Sequence, residues 1–172
     1  MPSADADPRS SSRRRLLAGA IVVGVVAIDQ LTKAWAVAAL EDGPASIIGG
    51  DVELRLSRNT GGAFSLFQGF TPLLAVVAVA LTVLLVRALR RTDDTWIVVA
   101  LALVLGGAIG NLIDRVARSP GFLRGAVVDF VSVDDFPTFN VADSAITVGA
   151  VLLVLRIAFG ERSEDRRVEP SS

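Results

Sequence analysis

Four stretches of this chain are apolar over about the ~20 residues that a helix needs to cross a hydrocarbon core, and that leaves few folds open. They run from Leu16 to Leu40, Phe70 to Leu89, Trp96 to Ile113 and Val141 to Phe159. Inside lipid every backbone N–H and C=O must find a partner within the segment itself, so spans of this length read as helices. Of the 172 residues 52% are hydrophobic, which is too apolar for an ordinary soluble domain and short enough for one compact unit. The expected fold class is membrane all-α: four transmembrane helices with a small β-sheet element on the extracytoplasmic face.

Charge orients the spans. Arg13, Arg14 and Arg15 precede the first, Arg87, Arg90 and Arg91 close the second, and Arg156, Arg162, Arg166 and Arg167 follow or end the fourth. By the positive-inside rule these regions and both termini are cytoplasmic, so residues 41–69 and 115–140 face the other side. Residues 1–12 and 161–172 are polar and charge-rich and read as disordered cytoplasmic tails around a single domain of 13–160. Arg13 to Arg15 before Leu16-Leu17-Ala18, with Ala36-Val37-Ala38 further on, also resembles a cleavable signal peptide. Asp29 and Lys33 interrupt the apolar run, which favours a retained first span.

Between the first two spans the period changes. Val52, Leu54 and Leu56 alternate with Glu53, Arg55 and Ser57, the pattern of a strand with one apolar face. Asn59-Thr60-Gly61-Gly62 then predicts a turn and Ala63 to Phe67 a short returning strand, giving a β element over about 44–68 on the outer membrane surface.

Composition removes most chemistries. The chain has no His and no Cys, which excludes a serine or cysteine triad, a thiol nucleophile and a His or Cys zinc site. A formal net charge of -1 argues against a nucleic-acid partner. No cofactor is expected, and too few further acidic ligands stand near the carboxylates for a divalent metal. What remains is carboxylate chemistry, concentrated in the last third: Ala126-Val127-Val128-Asp129-Phe130, then Phe139-Asn140-Val141-Ala142-Asp143-Ser144 at the mouth of the fourth span. An ionisable residue in a membrane segment is costly and reads as functional. Two carboxylates brought together at a low-dielectric edge cannot both ionise easily, so one can serve as acid while the other serves as base, as in aspartic peptide hydrolysis. Asp143 has a second reading as a helix cap, since Asn140-x-x-Asp143 has the form of a capping box, and the two roles can coexist.

Asp114 is a further acidic candidate, three residues from Asn111 on one helical face. Its place at the end of a span beside Arg115 favours a structural ion pair or hydrogen-bonded anchor. Asp29 and Lys33, at i and i+4, read equally as a fold-fixing pair or as part of a substrate site. Asp134 and Asp135 beside Phe136-Pro137 read as a solvated loop.

These segments resemble lipoprotein signal peptidase, the signal peptidase II family, from about Ile28 to Leu155. Asp29-Gln30-Leu31-Thr32-Lys33 is similar to its first motif, Asn59-Thr60-Gly61-Gly62-Ala63-Phe64-Ser65 to its second and Gly107 to Arg115 to its third. Asp129 and Asp143 sit in the last two. One departure is Gly62, where the family usually has Ala. The resemblance implies an aspartyl endopeptidase of the bacterial cell membrane that cleaves prolipoproteins before a diacylglyceryl-modified cysteine. It implies Asp129 and Asp143 as catalytic residues, with Asn59, Asn111, Arg115 and Asn140 holding the substrate backbone and Asp29, Lys33 and Asp114 as structural polar groups. The expected partners are the lipidated signal peptide and membrane lipid, and the expected state is a monomer. Phe64, Phe67, Phe130, Phe136 and Phe139 are expected to wall the groove. A proton-coupled carrier using the same aspartates as a relay, or a structural membrane scaffold, are the competing readings.

Overall fold

The structure, a computed structural model, describes residues 8–48, 51–60 and 71–168. Four long helices carry it: α1 (Pro8–Ala39), α2 (Thr71–Arg91), α3 (Thr95–Ala117) and α4 (Val141–Val168). Each contains a stretch long and apolar enough to span a bilayer, at Ser10–Ala39, Pro72–Arg91, Thr95–Ala117 and Val141–Phe159. The four expected spans are all present. The expected tails differ: residues 8–12 already belong to α1 and 161–168 continue α4, so the polar composition there ends the apolar run without ending the helix.

α3 is the axis of the bundle. Half of its spanning stretch (50%) is buried, against 11–17% for the other three, because α1, α2 and α4 all pack on it. Glycines make that possible, since between helices already in lipid association rests on close van der Waals approach rather than on hydrophobic transfer. A Cβ on Gly106 would collide with Val25 of α1, and one on Gly110 would meet the Asp29 carboxylate. Gly107 faces the other neighbour, where a Cβ would run into the Ala142 carbonyl and Ile146 of α4. α3 thus holds α1 on one side and α4 on the other at backbone distance.

At one end of the bundle lies a four-stranded antiparallel sheet in the order β1 (Ala45–Ile48), β2 (Val52–Asn59), β3 (Val127–Val133) and β4 (Phe136–Phe139). The strand expected from the alternation at Val52 to Ser57 is β2. Its neighbours are β1 and, from the loop between α3 and α4, β3, with Asn59 opposite Val127 and Ser57 opposite Asp129. The returning strand expected at Ala63 to Phe67 lies outside the described residues, as do Gly62 and the rest of its turn. β3 and β4 form a tight hairpin around Asp134-Asp135. Both aspartates are exposed as expected, and Asp134 takes φ 42°, a conformation that Asp tolerates better than most residues. Phe136-Pro137, however, opens a strand rather than lying in a loop; Pro137 is accommodated because β4 is the sheet's edge.

Phe130 joins sheet to bundle. It packs with Ala36 and Leu40 at the end of α1, with Leu54 and Leu56 of β2 against the same cluster, and meets Trp35 edge to face at 6.5 Å. The opposite end of the bundle is tied by ion pairs. Arg14 of α1 binds Asp93 at 2.5 Å, and Arg156 of α4 binds Asp94 at 2.6 Å, both in the turn between α2 and α3. Asp94 also caps α3, accepting from Trp96 N at 2.8 Å.

The glycine contacts can be tested by size. Gly107→Leu should lower the thermal unfolding midpoint in detergent, by the equivalent of about 1–3 kcal/mol or more of overpacking. Gly24→Leu, at a helical glycine with nothing within 4 Å of its would-be Cβ, should leave the midpoint unchanged or raise it.

Candidate active site

The site is built on a buried ammonium. Lys33 of α1 is fully buried, and its Nζ has three acceptors: Asp29 Oδ2 at 2.9 Å, Asp114 Oδ2 at 2.9 Å and Asn111 Oδ1 at 3.0 Å. Three N–H donors meet three oxygens, so the charge is satisfied without water. The two aspartates are just as buried and reach onward. Asp29 Oδ1 accepts from Ala142 N at 3.0 Å, at the start of α4. Asp114 Oδ2 accepts from Val128 N of β3 at 3.2 Å, and its Oδ1 binds Arg118 Nε at 2.6 Å. Gln30 donates to the Gly110 carbonyl at 3.1 Å beside them. Two carboxylates facing one ammonium and one guanidinium leave the cluster neutral, which is the condition for burying it at tolerable cost.

The expected pairing of Asp29 with Lys33 is therefore present, and it lies behind the cavity rather than in it. Asp114 is ion-paired as expected, but with different partners: its cations are Lys33 and Arg118, one distant in sequence and one at i+4, and no ion pair joins it to Arg115. Adjacent helical residues point about 100° apart, so Asp114 and Arg115 serve different faces of α3.

Asp129 and Asp143 meet in front of this cluster. Asp129 stands on β3 and Asp143 in the first turn of α4, and one side chain links them. Asn140 Nδ2 donates to Asp129 Oδ1 at 2.6 Å, while Asn140 Oδ1 accepts from Asp143 N at 2.9 Å and Asn140 N donates to Asp143 Oδ2 at 3.3 Å. The last two bonds are the reciprocal capping box expected from the spacing. The cap and the carboxylate pair are one structure. Asn111 completes it: its Oδ1 is held by Lys33 and by Asn140 Nδ2 at 3.2 Å, which turns its own amide N–H groups toward Asp143 Oδ1, 2.8 Å away. From β2, Asn59 Nδ2 donates to Asp129 Oδ2 at 3.1 Å.

A cavity of about 580 Å³ opens over the pair. Asn59, Asn111, Arg115, Asp129 and Asp143 line it, with Phe136 and Phe139 on the hairpin wall and Ile146 and Thr147 on the α4 wall. Phe136 and Phe139 stack edge to face at 5.8 Å. Phe130 does not join them, contrary to expectation: side chains alternate across a strand, so when Asp129 faces the cavity Phe130 must face the bundle. Phe64 and Phe67 lie outside the described residues. The α4 wall is a contribution that sequence reasoning missed, although Ile146 and Thr147 follow Asp143 at the i+3 and i+4 spacing of one helical face. Asn140 also differs from expectation. It is buried, and its Nδ2 faces Asp129, Asn111 and the Val128 carbonyl, so no donor is left over for a bound chain. Arg115 is 8% exposed, and its Nη1 has no hydrogen-bond partner among the described residues.

Electrostatics distinguish Asp129 from an ordinary carboxylate. Burial, then the charge of Asp143, pushes its pKa up from 3.8 to about 6, against the opposing bonds from Asn59 and Asn140. Asp129 thereby keeps its proton to a higher pH than an ordinary carboxyl does, at a site where Asp143 is tied to it through a shared asparagine.

Residues 21–159 match the family described as Signal peptidase (SPase) II. The lipoprotein signal peptidase of Rhodococcus jostii (strain RHA1) is 48% identical over 168 residues, covering 96% of this chain and 85% of the relative. That of Mycobacterium tuberculosis (strain ATCC 25618 / H37Rv) is 46% identical over 160 residues, covering 92% and 77%. Among solved structures, a bacterial membrane enzyme determined by the in meso method at 2.3 Å superposes with a TM-score of 0.76 at 28% identity, over 91% of this chain and 94% of that one. A second, at 1.9 Å, gives 0.72 at 30% identity over 82% and 92%. With the family matched across all four spans and both carboxylate segments, this multi-pass membrane protein belongs to the signal peptidase II family of aspartic peptidases.

Proposed function

We propose that this protein removes signal peptides from prolipoproteins by hydrolysing the peptide bond before a diacylglyceryl-modified cysteine, with Asp129 and Asp143 as the catalytic pair. The observation that carries the reading is the double grip of Asn140, whose Nδ2 holds the Asp129 carboxylate and whose backbone N–H holds that of Asp143, at the floor of a largely apolar cavity at the end of a membrane bundle. Charge placement supports an outward-facing site. Arginines gather at the start of α1 and the ends of α2 and α4, so that end is cytoplasmic with both termini, and the sheet end faces out. The buried ionisable residues Asp29, Lys33, Asp114, Arg115 and Asp129 all belong to the sheet end, whereas a proton relay would stage them across the membrane.

In the mechanism, the pair works with one proton between its carboxyls. The ionised carboxylate takes a proton from a water as that water attacks the scissile carbonyl carbon. The protonated one donates to the carbonyl oxygen as it becomes tetrahedral. Collapse of the intermediate breaks the C–N bond, and the leaving amine collects a proton from the pair. Arg115 lines the cavity and contributes positive charge that interacts with Asp129 and Asp143. Asn59 and Asn111 each hold one carboxylate while bordering the cavity, which suits them to guiding the extended chain past it. Asn140 orients the pair from behind.

Lipid has a positioning role in this scheme. The cavity combines a polar floor with apolar walls from Phe136, Phe139 and Ile146 and lies where α4 enters the membrane. Burial of acyl chains contributes roughly 0.8 kcal/mol per CH₂, and it fixes the depth of the modified cysteine relative to a dyad of fixed depth.

Purified enzyme and a synthetic lipidated peptide test the chemistry. Asp129→Asn and Asp143→Asn should each cut turnover by roughly 10²–10⁴-fold or more while remaining folded, since an amide cannot accept or shuttle the proton. Asp114→Asn should act through a lowered unfolding midpoint instead; a stable but inactive Asp114→Asn beside an active Asp129→Asn would overturn the assignment.

Asp129 also makes stability depend on pH. Its folded pKa of about 6 exceeds the ordinary carboxyl value of 3.8, so its contribution is fully present below pH ~4 and is lost as pH rises through 6. Asp129→Asn escapes that loss. Thermal unfolding should show the variant gaining on the parent between pH 4 and 6 and holding a constant advantage above; a gap independent of pH would refute the raised pKa.

The lipid role is tested by comparing the same peptide with and without its diacylglyceryl group in one detergent. Cleavage of the bare peptide should be at least ~100-fold less efficient, as expected from the loss of positioning. Equal rates would remove the lipid from the account and leave the carboxylate chemistry standing.

A further inference from the structure

The bundle contains a second cavity, of about 340 Å³, at the end remote from the sheet. α1 and α2 both rest on α3 here and leave a groove between them. Its walls are Val22 and Val23 of α1 and Val86 and Leu89 of α2, and its floor is Val98 and Leu105 of α3. The apolar part is continuous with the exposed, lipid-facing flanks of these helices. The mouth is cationic. Arg14, Arg15 and Arg90 all line it together with a single carboxylate, Asp93, and that carboxylate is already bound by Arg14. Arg15 and Arg90 form no ion pair among the described residues, so the mouth carries two uncompensated positive charges above an apolar slot. Ser11 and Thr92 add hydroxyls at the same level.

This combination has one natural counterpart in a membrane: a molecule with a negatively charged head at the interface and a hydrocarbon tail running inward along the helices. We propose that the groove between α1 and α2 is a binding site for an anionic phospholipid, its phosphate held by Arg15 and Arg90 and one acyl chain laid over Val22, Val86 and Leu105. The ligand is a resident of the surrounding bilayer and is distinct from the lipidated substrate, whose cavity lies at the other end of α3. Bound there, it fills the gap that α1 and α2 leave on α3, and so braces the helix that carries Asp29 and Lys33. The proposal needs the membrane-spanning fold and is independent of which residues perform hydrolysis.

The experiment is lipid binding by native mass spectrometry and thermal unfolding of the detergent-purified full chain. The probes are phosphatidylglycerol, phosphatidylcholine of the same acyl chains, and inorganic phosphate. Phosphatidylglycerol should be retained at one copy per protein and raise the unfolding midpoint more than phosphatidylcholine does. The Arg15→Gln/Arg90→Gln double variant should bind it roughly 30-fold more weakly, from about 1 kcal/mol per basic side chain at a lipid surface. Gly19 offers a second, independent variant. It lines the groove, and a Cβ there has nothing within 4 Å, so Gly19→Leu should fold normally and occlude the acyl slot. It should abolish retention with the midpoint in phosphatidylcholine unchanged. Equal stabilisation by the two lipids, full retention in either variant, or an effect reproduced by inorganic phosphate alone would each overturn the proposal.

Discussion

One ammonium group organises the sheet end of this molecule. Lys33 is fully buried, so its three protons must each be met by a fixed oxygen, and the chain brings those oxygens from α1 and α3. Once placed, Asp29 and Asp114 spend their remaining lone pairs on the first turn of α4 and on β3. Those are the two elements that bear Asp143 and Asp129. A positive charge in the membrane thereby sets the relative position of two segments that never touch it, with a rigidity that purely apolar contacts would not supply. Hydrogen bonds in such a low-dielectric cluster are strong when complete and leave costly orphans when broken, so the arrangement tolerates few intermediate states.

The polarity of Asn111 illustrates how the charge reaches the cavity. An amide can present either its oxygen or its nitrogen to a neighbour, and Asp143 requires the nitrogen. Lys33 decides the matter by claiming the oxygen. Asn140 is oriented likewise, because the N–H of Asp143 claims its oxygen and leaves the amino group for Asp129. The Asn140 amide, with that of Asn59, opposes the effect of burial on Asp129, which would hold its proton more tightly without them.

Much of this was legible beforehand, for identifiable reasons. Membrane length and the arginine clusters marked the four helices, alternation at Val52 to Ser57 marked β2, and the Asn140-x-x-Asp143 spacing marked the cap that joins the pair. β3 was not marked as a strand because Val127 to Phe130 is buried on both faces, which erases the period of two on which such recognition relies. The partners of Asp114 were misassigned because proximity along the chain favoured Arg115, whereas a helix brings Arg118 alongside and the fold brings Lys33 from 81 positions away. The helical ends at 8–12 and 161–168 were read as tails because polarity ends a membrane span but does not by itself end a helix; at 161–168 Glu and Arg are good helix formers, and at the other end Pro8 suits a helix's first turn.

The sheet has an implication for how the protein comes into being. β1 and β2 lie between α1 and α2, while β3 and β4 lie between α3 and α4, so its two halves are synthesised and threaded into the membrane as separate hairpins. Until the second hairpin arrives, β2 presents an unpaired edge and the carboxamide of Asn59 has no Asp129 to address. The second hairpin can reach β2 once α3 is in place, whereas Asp143 joins Asp129 only when α4 follows. A chain stalled one helix short would therefore be anchored in the bilayer with its sheet formed and one of its two facing carboxylates missing.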